Sequence, residues 1–323
     1  MLEVLGAAAA TLLSAPLMIA LGRRLGIEGV DVHKPWKPRI PKTGGLAIIL
    51  GFLLGLLAAI QLHGWSSLAP VLAACVIAAA IGFCEDLRGE LNPMLKPLLL
   101  VLAALPILLS GIYTPRPVVP FLGRTRLYKV YPVLVLASYP VVCNAVNSVD
   151  VLNGSAILTS MPFLAMSGLI FYLRGDYPML ALTLIVLASC AALLPYNIYP
   201  AKTFIGNSGS LFLGAAMASI AIVGRIEFAA IVALIPQIMN EMHVIFSIRG
   251  LKSAKRVERR PIEVSDGLIT ASRDEDAPIT LLRMISAGAR VDERSAVAAM
   301  LIISCFAAAL GLLTDVLFLE GAV

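Results

Sequence analysis

The sequence has few charged residues and few cysteines. Only 14% of its 323 residues are charged, against roughly 25% in soluble domains, which argues against a large water-soluble domain. Its five cysteines lie in or beside apolar segments and form no C-x-x-C pair, so neither a disulfide framework nor a thiolate metal site is expected. Nucleic acid is not an expected partner, because in so apolar a chain a net charge of +5 is more typical of cytoplasmic loops.

Long apolar runs are abundant instead. Hydrophobic residues make up 59% of the chain, and a spanning helix needs roughly 20 mostly apolar residues. The runs predict an all-α, polytopic integral membrane protein of about ten transmembrane helices, forming a single transmembrane domain over residues 1–323. The predicted spans are 3–22, 44–62, 68–84, 95–111, 130–147, 156–173, 178–195, 208–224, 227–248 and 295–318.

Lysine and arginine are distributed unequally over the predicted loops. Nineteen of the 25 follow odd-numbered helices and six follow even-numbered ones. Because cytoplasmic loops are enriched in these residues, the odd-numbered loops are expected to be cytoplasmic and both termini outside, in a cell or endoplasmic-reticulum-type membrane. The first apolar run has no basic residue before it and is followed by Arg23 and Arg24. We therefore interpret it as a retained helix rather than a signal peptide.

The polar residues that could carry chemistry lie in the odd-numbered loops. The first of these, residues 31–45, combines Lys34 and Lys37 with three prolines and ends in Gly44-Gly45 at the start of a helix. Cations beside a helix N-terminus favour an anion. A basic loop that only fixes the topology is the alternative.

Glu85 and Asp86 lie at the end of the third predicted span, ahead of Lys96. Two adjacent carboxylates at the end of an apolar helix are costly unless they are solvated, paired or bound to a cation. Carboxylate oxygens suit Mg²⁺, which leaves coordination positions for phosphate oxygens. The alternative is a solvated helix end whose acids pair with Arg88.

The third loop is rich in asparagine. Asn144, Asn147 and Asp150 are spaced three apart, so on a helix they share one face. The loop has no lysine or arginine, which leaves Asp150 without a local partner and indicates a cation or ribose site. A polar helix-capping turn is the alternative.

Two further loops carry glycine or arginine clusters. Lys202, Gly206 and Ser208 precede the eighth predicted helix in a Gly- and Ser-rich stretch that suits a phosphate-binding nest. Residues 249–294 form the one extended polar stretch and are expected to be a cytoplasmic, substrate-binding loop. Its cations could clamp a diphosphate or could only mark the cytoplasmic face. This basic cluster comprises Lys255, Arg256, Arg259 and Arg260.

Acids, asparagines, glycines and arginines are thus expected at the cytoplasmic ends of five different helices. A transporter would be expected to place its polar residues near the bilayer midplane, on broken helices. A site at the membrane surface instead suits a phosphorylated soluble substrate that meets a membrane-embedded one. These residue types therefore indicate phosphoryl transfer, in which metal ions and cationic side chains supply most of the catalysis.

Several motifs resemble those of the polyprenyl-phosphate N-acetylhexosamine-1-phosphate transferases, of the glycosyltransferase family 4 type. These are D-x-H-K-P-x-K-P-x-I-P-x-x-G-G at 31–45, G-F-x-E-D at 82–86, N-A-x-N-x-x-D-x-x-N-G at 144–154 and F-I-G-N-S-G-S at 204–210. Within that family, P-Q-x-x-N at 236–240, T-L-L-R at 280–283 and D-E-R at 292–294 resemble the eukaryotic and archaeal dolichyl-phosphate branch. The histidine-rich last loop of the bacterial peptidoglycan branch is missing from the sequence.

The resemblance implies a ten-helix enzyme. It would transfer GlcNAc-1-phosphate from UDP-GlcNAc to a dolichyl-type polyprenyl phosphate, release UMP and use Mg²⁺ or Mn²⁺. This would be the first membrane step of a glycan-lipid pathway such as N-glycan biosynthesis in protein glycosylation. The same reaction with another UDP-N-acetylhexosamine stays open, and a homodimer is one assembly that the resemblance allows.

The resemblance also implies roles at the lipid phosphate. Asp86 would lie near the attacking phosphate, with Glu85 beside it, and Lys96 would hold that phosphate. The family's paired aspartates appear here as Glu85-Asp86, which keeps the charge but lengthens one arm.

The remaining implied roles concern the metal and the nucleotide sugar. Asn147 and Asn207 would flank the metal, and Asp150 matches an acidic position of the bacterial branch. Asn153 would lie near the uridine, and one of Arg259 and Arg260 would reach the sugar or the diphosphate. The other candidates for substrate binding are Lys34, Lys37, Asn144, Gly154, Lys202, Gly206 and Ser208.

One departure from the family bears on activity. The metal-binding aspartate of the F-x-G-D motif is Asn207 in this sequence. An amide oxygen can coordinate Mg²⁺ but brings no charge, so the affinity for the metal should fall. A catalytically weak or non-catalytic relative that binds nucleotide sugar is therefore the alternative to an active enzyme.

Overall fold

The computed structural model describes residues 1–89, 91–250 and 259–318. Within this part of the chain the structure is mainly helical, with three small antiparallel sheets. The helices are α1 (Leu2–Leu25), α2 (Gly44–His63), α3 (Ala69–Arg88), α4 (Leu95–Ser110), α5 (Tyr131–Ser148), α6 (Ser155–Arg174), α7 (Tyr177–Asn197), α8 (Gly206–Val223), α9 (Glu227–Ala233), α10 (Ile235–Ser247), α11 (Leu281–Ile285) and α12 (Glu293–Phe318). The strands are β1 (Glu28–Val30), β2 (Arg39–Pro41), β3 (Val118–Val119), β4 (Gly123–Arg124), β5 (Ile262–Ser265), β6 (Leu268–Ala271) and β7 (Val291–Asp292).

The all-α, polytopic membrane class is confirmed. Among the described residues, seven helices are long and apolar enough to span a membrane, and α9 and α10, bent by 64°, would together make an eighth span. All ten predicted segments are helical, but α4 has only 16 residues and α5 carries two asparagines in its last turns. The count of ten spans therefore stays a prediction.

Helix α8 is the centre of the bundle and packs against α2, α3 and α5. Every residue from Ser208 to Ile222 is buried. The approach is close because glycine lies at each contact: a Cβ at Gly45, Gly82 or Gly214 would overlap the backbone of the facing helix. This packing fixes the ends of three other helices around the first turn of α8.

The two ends of the bundle differ. Glu3, near the start of the chain, lies 3.7 Å from His63 at the end of α2, and Asp315, near its end, pairs with Arg174 at 2.5 Å. Both terminal segments therefore lie with the even-numbered loops. The odd-numbered loops, which carry most of the cations, lie at the opposite end.

The last odd-numbered loop, predicted only as a polar stretch, contains a small sheet. Strands β5, β6 and β7 form three antiparallel neighbours, and β7 leads directly into α12. Ile269 and Leu282 from this loop share a small hydrophobic cluster with Val149 and Leu152, which connect α5 and α6. The sheet is thus packed against the turn that carries Asp150.

Candidate active site

A cavity of about 660 Å³ opens at the end of the bundle that carries the odd-numbered loops. All five of those loops contribute to its wall. Ten of the predicted site residues line it: Glu85, Lys96, Asn144, Asn147, Asp150, Asn153, Gly206, Asn207, Arg259 and Arg260. Side chains that are up to 175 positions apart in the sequence therefore share one surface.

Asp86 lies directly behind this wall and caps α8. Its Oδ1 accepts hydrogen bonds from the backbone N–H of Asn207 at 2.9 Å and from the Asn207 side-chain amide at 3.1 Å, and its Oδ2 accepts from the N–H of Ser208 at 2.9 Å. The first turn of a helix leaves N–H groups unpaired and carries a partial positive charge, so a carboxylate stabilises it. Gly206, with a φ of +66°, leaves room because a Cβ there would meet the carboxylate.

This contact bears on the predicted phosphate nest. The N–H groups of Asn207 and Ser208, which a phosphate would need, already donate to Asp86. Ser208 is buried, and its side chain donates to the carbonyl of Ile205 at 3.5 Å. Within the described part of the chain, the first turn of α8 is occupied by a protein carboxylate.

Glu85 and Lys96 form an ion pair at the cavity. Lys96 Nζ lies 2.9 Å from Glu85 Oε2, and both side chains are largely buried. Lys96 also donates to Asn207 Oδ1 at 3.4 Å. The lysine therefore connects α4 with the ends of α3 and α8 and presents a cation to the cavity.

The two asparagines of α5 are held differently. Asn147 Oδ1 accepts from the hydroxyl of Ser210 at 2.7 Å, which ties α5 to α8. The Asn144 amide donates to the carbonyl of Pro140 at 2.9 Å, one turn earlier in α5. Both side chains line the cavity, as their spacing predicts.

Asp150 follows α5 and has an unusual electrostatic setting. Burial and the nearby charge of Asp86 raise the pKa of its carboxyl to about 7, whereas Lys42 acts in the opposite direction. Among the described residues, none donates a hydrogen bond to this carboxylate. A cation bound beside this buried carboxylate would stabilise its charged form.

Asn153 is saturated by protein contacts. Its backbone N–H donates to Glu293 Oε1 at 2.8 Å, and its side-chain amide donates to the same oxygen and to Asp31 Oδ2 at 3.1 Å. Its Oδ1 accepts from the N–H of Ala201 at 3.0 Å and from Lys34 Nζ at 3.5 Å. It lines the cavity but is 3% exposed.

Four of the other predicted residues lie away from this cavity. Lys34 is buried, pairs with Asp31 at 2.5 Å and lines a neighbouring cavity of about 470 Å³. Lys37 is exposed, Lys202 lies over the ring of Tyr196, and Gly154 starts α6 with a φ of +79°.

Arg259 and Arg260 are exposed and line the cavity from the last loop. Arg259 pairs with Asp274 at 2.9 Å and with Asp276, and these acids raise the pKa of its guanidinium. The other two cations of the predicted basic cluster, Lys255 and Arg256, lie outside the described residues.

Sequence reasoning missed several residues of the site. Lys42 and Glu241 line the cavity, and Glu293 and Asp31 hold Asn153. Asp31 and Lys42 belong to the first motif, whose charged positions were a usable signal. Glu293 belongs to the D-E-R motif at 292–294, but nothing local indicates its contact with Asn153, which spans 140 positions in the sequence.

The oxygen atoms of the cavity bear on the expected metal. Among the described residues, no three His, Cys, Asp or Glu side chains converge as a metal site. The available set consists of the Asp150 carboxylate and the amide oxygens of Asn147 and Asn207, all of which line the cavity. A small set of protein oxygens such as this one suits a hard cation such as Mg²⁺, because that ion takes its other ligands from water or phosphate.

Comparisons with known proteins agree with the motifs. The sequence model of glycosyl transferase family 4 matches residues 68–225. A phospho-N-acetylmuramoyl-pentapeptide-transferase of Nautilia profundicola is 31% identical over 263 residues, which cover 70% of this chain and 72% of that protein.

Two further relatives have names that match the dolichyl and undecaprenyl branches. A Sulfolobus acidocaldarius protein named "Putative UDP-N-acetylglucosamine--dolichyl-phosphate N-acetylglucosaminephosphotransferase" is 28% identical, covering 74% of this chain and 76% of its own length. A Bacillus subtilis protein named "Probable undecaprenyl-phosphate N-acetylglucosaminyl 1-phosphate transferase" is 27% identical, covering 82% and 75%. The chain belongs to glycosyl transferase family 4.

Proposed function

We propose that this protein transfers GlcNAc-1-phosphate from UDP-GlcNAc to a polyprenyl phosphate, giving GlcNAc-diphosphate-lipid and UMP. The observation that carries the proposal is one cavity into which four helix ends bring a buried lysine–glutamate pair, an acid that accepts no described hydrogen bond, and several asparagines. The arrangement suits two phosphorylated substrates, one of them lipid-borne, that meet at the membrane surface.

The reaction would proceed by attack of a lipid-phosphate oxygen on the β-phosphorus of UDP-GlcNAc. The bond between that phosphorus and the bridging oxygen breaks, and UMP departs with the electron pair. Lys96 would hold the lipid phosphate, because it presents a buried cation at the start of the apolar helix α4 while Glu85 fixes its position. Alignment and charge neutralisation account for most of the acceleration in such transfers.

A divalent cation, Mg²⁺ or Mn²⁺, would neutralise charge on the diphosphate when bound. Asp150, Asn147 and Asn207 are the residues that would hold it. Asn207 supplies only an amide oxygen, so the cation affinity is expected to be lower than with a carboxylate at this position.

GlcNAc and a dolichyl-type lipid are the favoured substrates within the family. The S. acidocaldarius and B. subtilis relatives have names for GlcNAc-1-phosphate transfer. The N. profundicola relative is named for a different sugar. The bacterial peptidoglycan branch has a histidine-rich last loop, whereas the three histidines of this chain, His33, His63 and His243, all lie outside residues 249–294. We further propose that the cavity faces the cytoplasm, with both termini outside, because the odd-numbered loops account for nineteen of the 25 lysines and arginines in the sequence. A homodimer stays a prediction.

The test uses the full chain reconstituted in liposomes with labelled UDP-GlcNAc, dolichyl phosphate and Mg²⁺. The expected products are labelled GlcNAc-diphosphate-lipid and an equal amount of UMP, both abolished by EDTA. UDP-GalNAc and UDP-MurNAc-pentapeptide in parallel test the choice of sugar. Failure to form either product with Mg²⁺ or Mn²⁺ would overturn the proposal. A cysteine introduced at Ser265 tests the orientation, since an impermeant maleimide should label it only from the cytoplasmic side.

A further inference from the structure

Glu293 is a buried carboxylate that the proposed reaction does not use. It begins α12, is 5% exposed, and has no lysine, arginine or histidine nitrogen within 4.0 Å among the described residues. Its Oε2 is buried without a hydrogen-bond partner. Burying a carboxylate is unfavourable unless hydrogen bonds compensate for its lost hydration.

Its described hydrogen bonds all come from one residue, and His33 adds an electrostatic interaction. Glu293 Oε1 accepts both the backbone N–H of Asn153 and its side-chain amide. The second hydrogen of that amide goes to Asp31, whose own charge is matched by Lys34. Glu293 therefore has no described hydrogen-bonding partner except Asn153.

Asn153 in turn joins four segments of the chain. It sits in the turn between α5 and α6, and it contacts the first loop through Asp31, the α7–α8 loop through Ala201, and the start of α12 through Glu293. The same turn carries Asp150, three residues earlier, on the cavity wall. Fixing Asn153 thus fixes the wall that includes Asp150.

The side chain of Asn153 has no hydrogen-bonding capacity left. Both amide hydrogens are donated, and the carbonyl oxygen accepts from Ala201 and from Lys34. Its contribution to a nucleotide sugar is therefore the position of the wall rather than a free amide. That position depends on a carboxylate supplied by the last loop.

We infer that Glu293 is a positioning residue for the end of the cavity away from Lys96, which the proposed function leaves to the nucleotide sugar. Through Asn153 it locks the α5–α6 turn to the start of α12. The inference rests on the proposed function for its substrate. At the other end of the cavity Glu85 pairs with Lys96, and among the described residues no hydrogen bond or ion pair joins either of them to Asn153 or Glu293. Loss of the contact between Glu293 and Asn153 should therefore raise KM for UDP-GlcNAc and leave KM for the lipid phosphate nearly unchanged.

Two substitutions of Glu293 separate the effect of side-chain length from the effect of charge. Glu293→Gln removes the charge, but its amide oxygen can still accept both hydrogens from Asn153. Glu293→Asp keeps the charge and withdraws the oxygens by one methylene. Asp292→Ala is the matched control, because Asp292 caps the same helix through Ser295, at 3.0 Å to its N–H and 2.6 Å to its hydroxyl, without touching Asn153.

The experiment measures KM for UDP-GlcNAc and for dolichyl phosphate, kcat, and the Kd of UMP. Glu293→Asp is expected to raise KM for UDP-GlcNAc and the Kd of UMP by on the order of tenfold, as supporting residues do when removed. KM for the lipid should change less than about twofold, by the separation of the two ends argued above. Glu293→Gln and Asp292→Ala should retain near wild-type KM values, even though Asp292→Ala lowers the melting temperature.

Three results would overturn the inference. They are an unchanged KM for UDP-GlcNAc in Glu293→Asp, an equal rise in both KM values, and the same rise in Asp292→Ala. An inactive wild-type protein would instead defeat the proposed function, and UMP binding by the folded variants would still test Glu293. If Glu293→Asp fails to fold, UMP binding is compared between Glu293→Gln and Glu293→Ala. Weaker UMP binding in Glu293→Ala alone supports the role, and equal UMP binding by the two variants refutes it.

Discussion

Replacing Asn207 with aspartate restores the carboxylate that the family's motif places at this position. In the structure, the Asn207 amide donates to Asp86 Oδ1 at 3.1 Å, and its oxygen accepts from Lys96 at 3.4 Å. A carboxylate there would face a carboxylate on one side and an ammonium on the other. The substitution therefore tests whether Asn207 is part of the cation site.

The magnitudes follow from these two distances. With an effective dielectric constant of about 20, two unit charges interact by about 5 kcal/mol at either separation, so repulsion from Asp86 and attraction to Lys96 nearly cancel. What remains is the lost hydrogen bond to a charged acceptor, worth roughly 1.5–3 kcal/mol. Without a divalent cation, Asn207→Asp should therefore be less stable than the wild type by roughly 1.5–3 kcal/mol.

A divalent cation reverses this balance, because it is attracted by the added charge. We expect the half-saturating Mg²⁺ concentration of Asn207→Asp to fall by at least about tenfold, equivalent to ~1.4 kcal/mol. Turnover at low Mg²⁺ should rise accordingly. Mg²⁺ should also raise the melting temperature of the variant more than that of the wild type. The assays are GlcNAc-diphosphate-lipid formation and thermal unfolding in detergent, each across a Mg²⁺ titration.

Asn144→Asp is the control, because it adds the same charge to the same cavity at a residue that has no described hydrogen bond to Asp86 or Lys96. It should leave the Mg²⁺ requirement largely unchanged. The reasoning fails if Asn207→Asp shows the wild-type Mg²⁺ dependence, which would point to another ligand. It fails equally if both variants lower the half-saturating Mg²⁺ concentration by the same factor, because any added negative charge in the cavity would then have the same effect.

Three further predictions concern the same site. Asp86→Ala should lower the stability by about 1–2 kcal/mol through loss of the α8 cap, measured as a lower melting temperature, whereas Leu87→Ala on the exposed face should have little effect. Lys96→Gln should raise KM for polyprenyl phosphate more than KM for UDP-GlcNAc in steady-state kinetics, because it removes the cation and leaves Glu85 unpaired. Since the pKa of Asp150 is about 7, its carboxyl is protonated below that pH. The half-saturating Mg²⁺ concentration should therefore rise as the pH falls from 8 to 6, by up to about tenfold per unit, and Asp150→Asn should abolish this dependence.

Much of the site was accessible from local pattern. The spacing of Asn144, Asn147 and Asp150 predicts one helix face, and all three line the cavity. Glu85 and Lys96 were also identified, because charged groups at the ends of apolar helices are costly without a partner or a function. The pairing of Glu85 with Lys96 does not follow from the sequence, since a solvated helix end whose acids pair with Arg88 also fits it.

Long-range contacts account for what pattern reasoning missed. The carboxylate of Asp86 bonds to the first turn of α8, 121 positions later. Glu293 bonds to Asn153 across 140 positions. The small sheet of the last loop has short strands in a polar segment, and it is stabilised by packing against the α5–α6 turn rather than by its own periodicity. No local signal marks such contacts.

The sequence by itself determined the membrane class, the end of the bundle at which the polar motifs gather, and ten of the residues that line the cavity. These follow from hydropathy, from the asymmetry of lysine and arginine, and from the spacing of polar residues, all of which act over a helix turn or a span. Only the tertiary structure decided which of those residues face the cavity and which support it. The reason is that hydrogen-bond capacity is finite: once Asp86 caps α8 and Asn153 holds four segments together, their polar atoms are committed, and that commitment depends on how the helices pack.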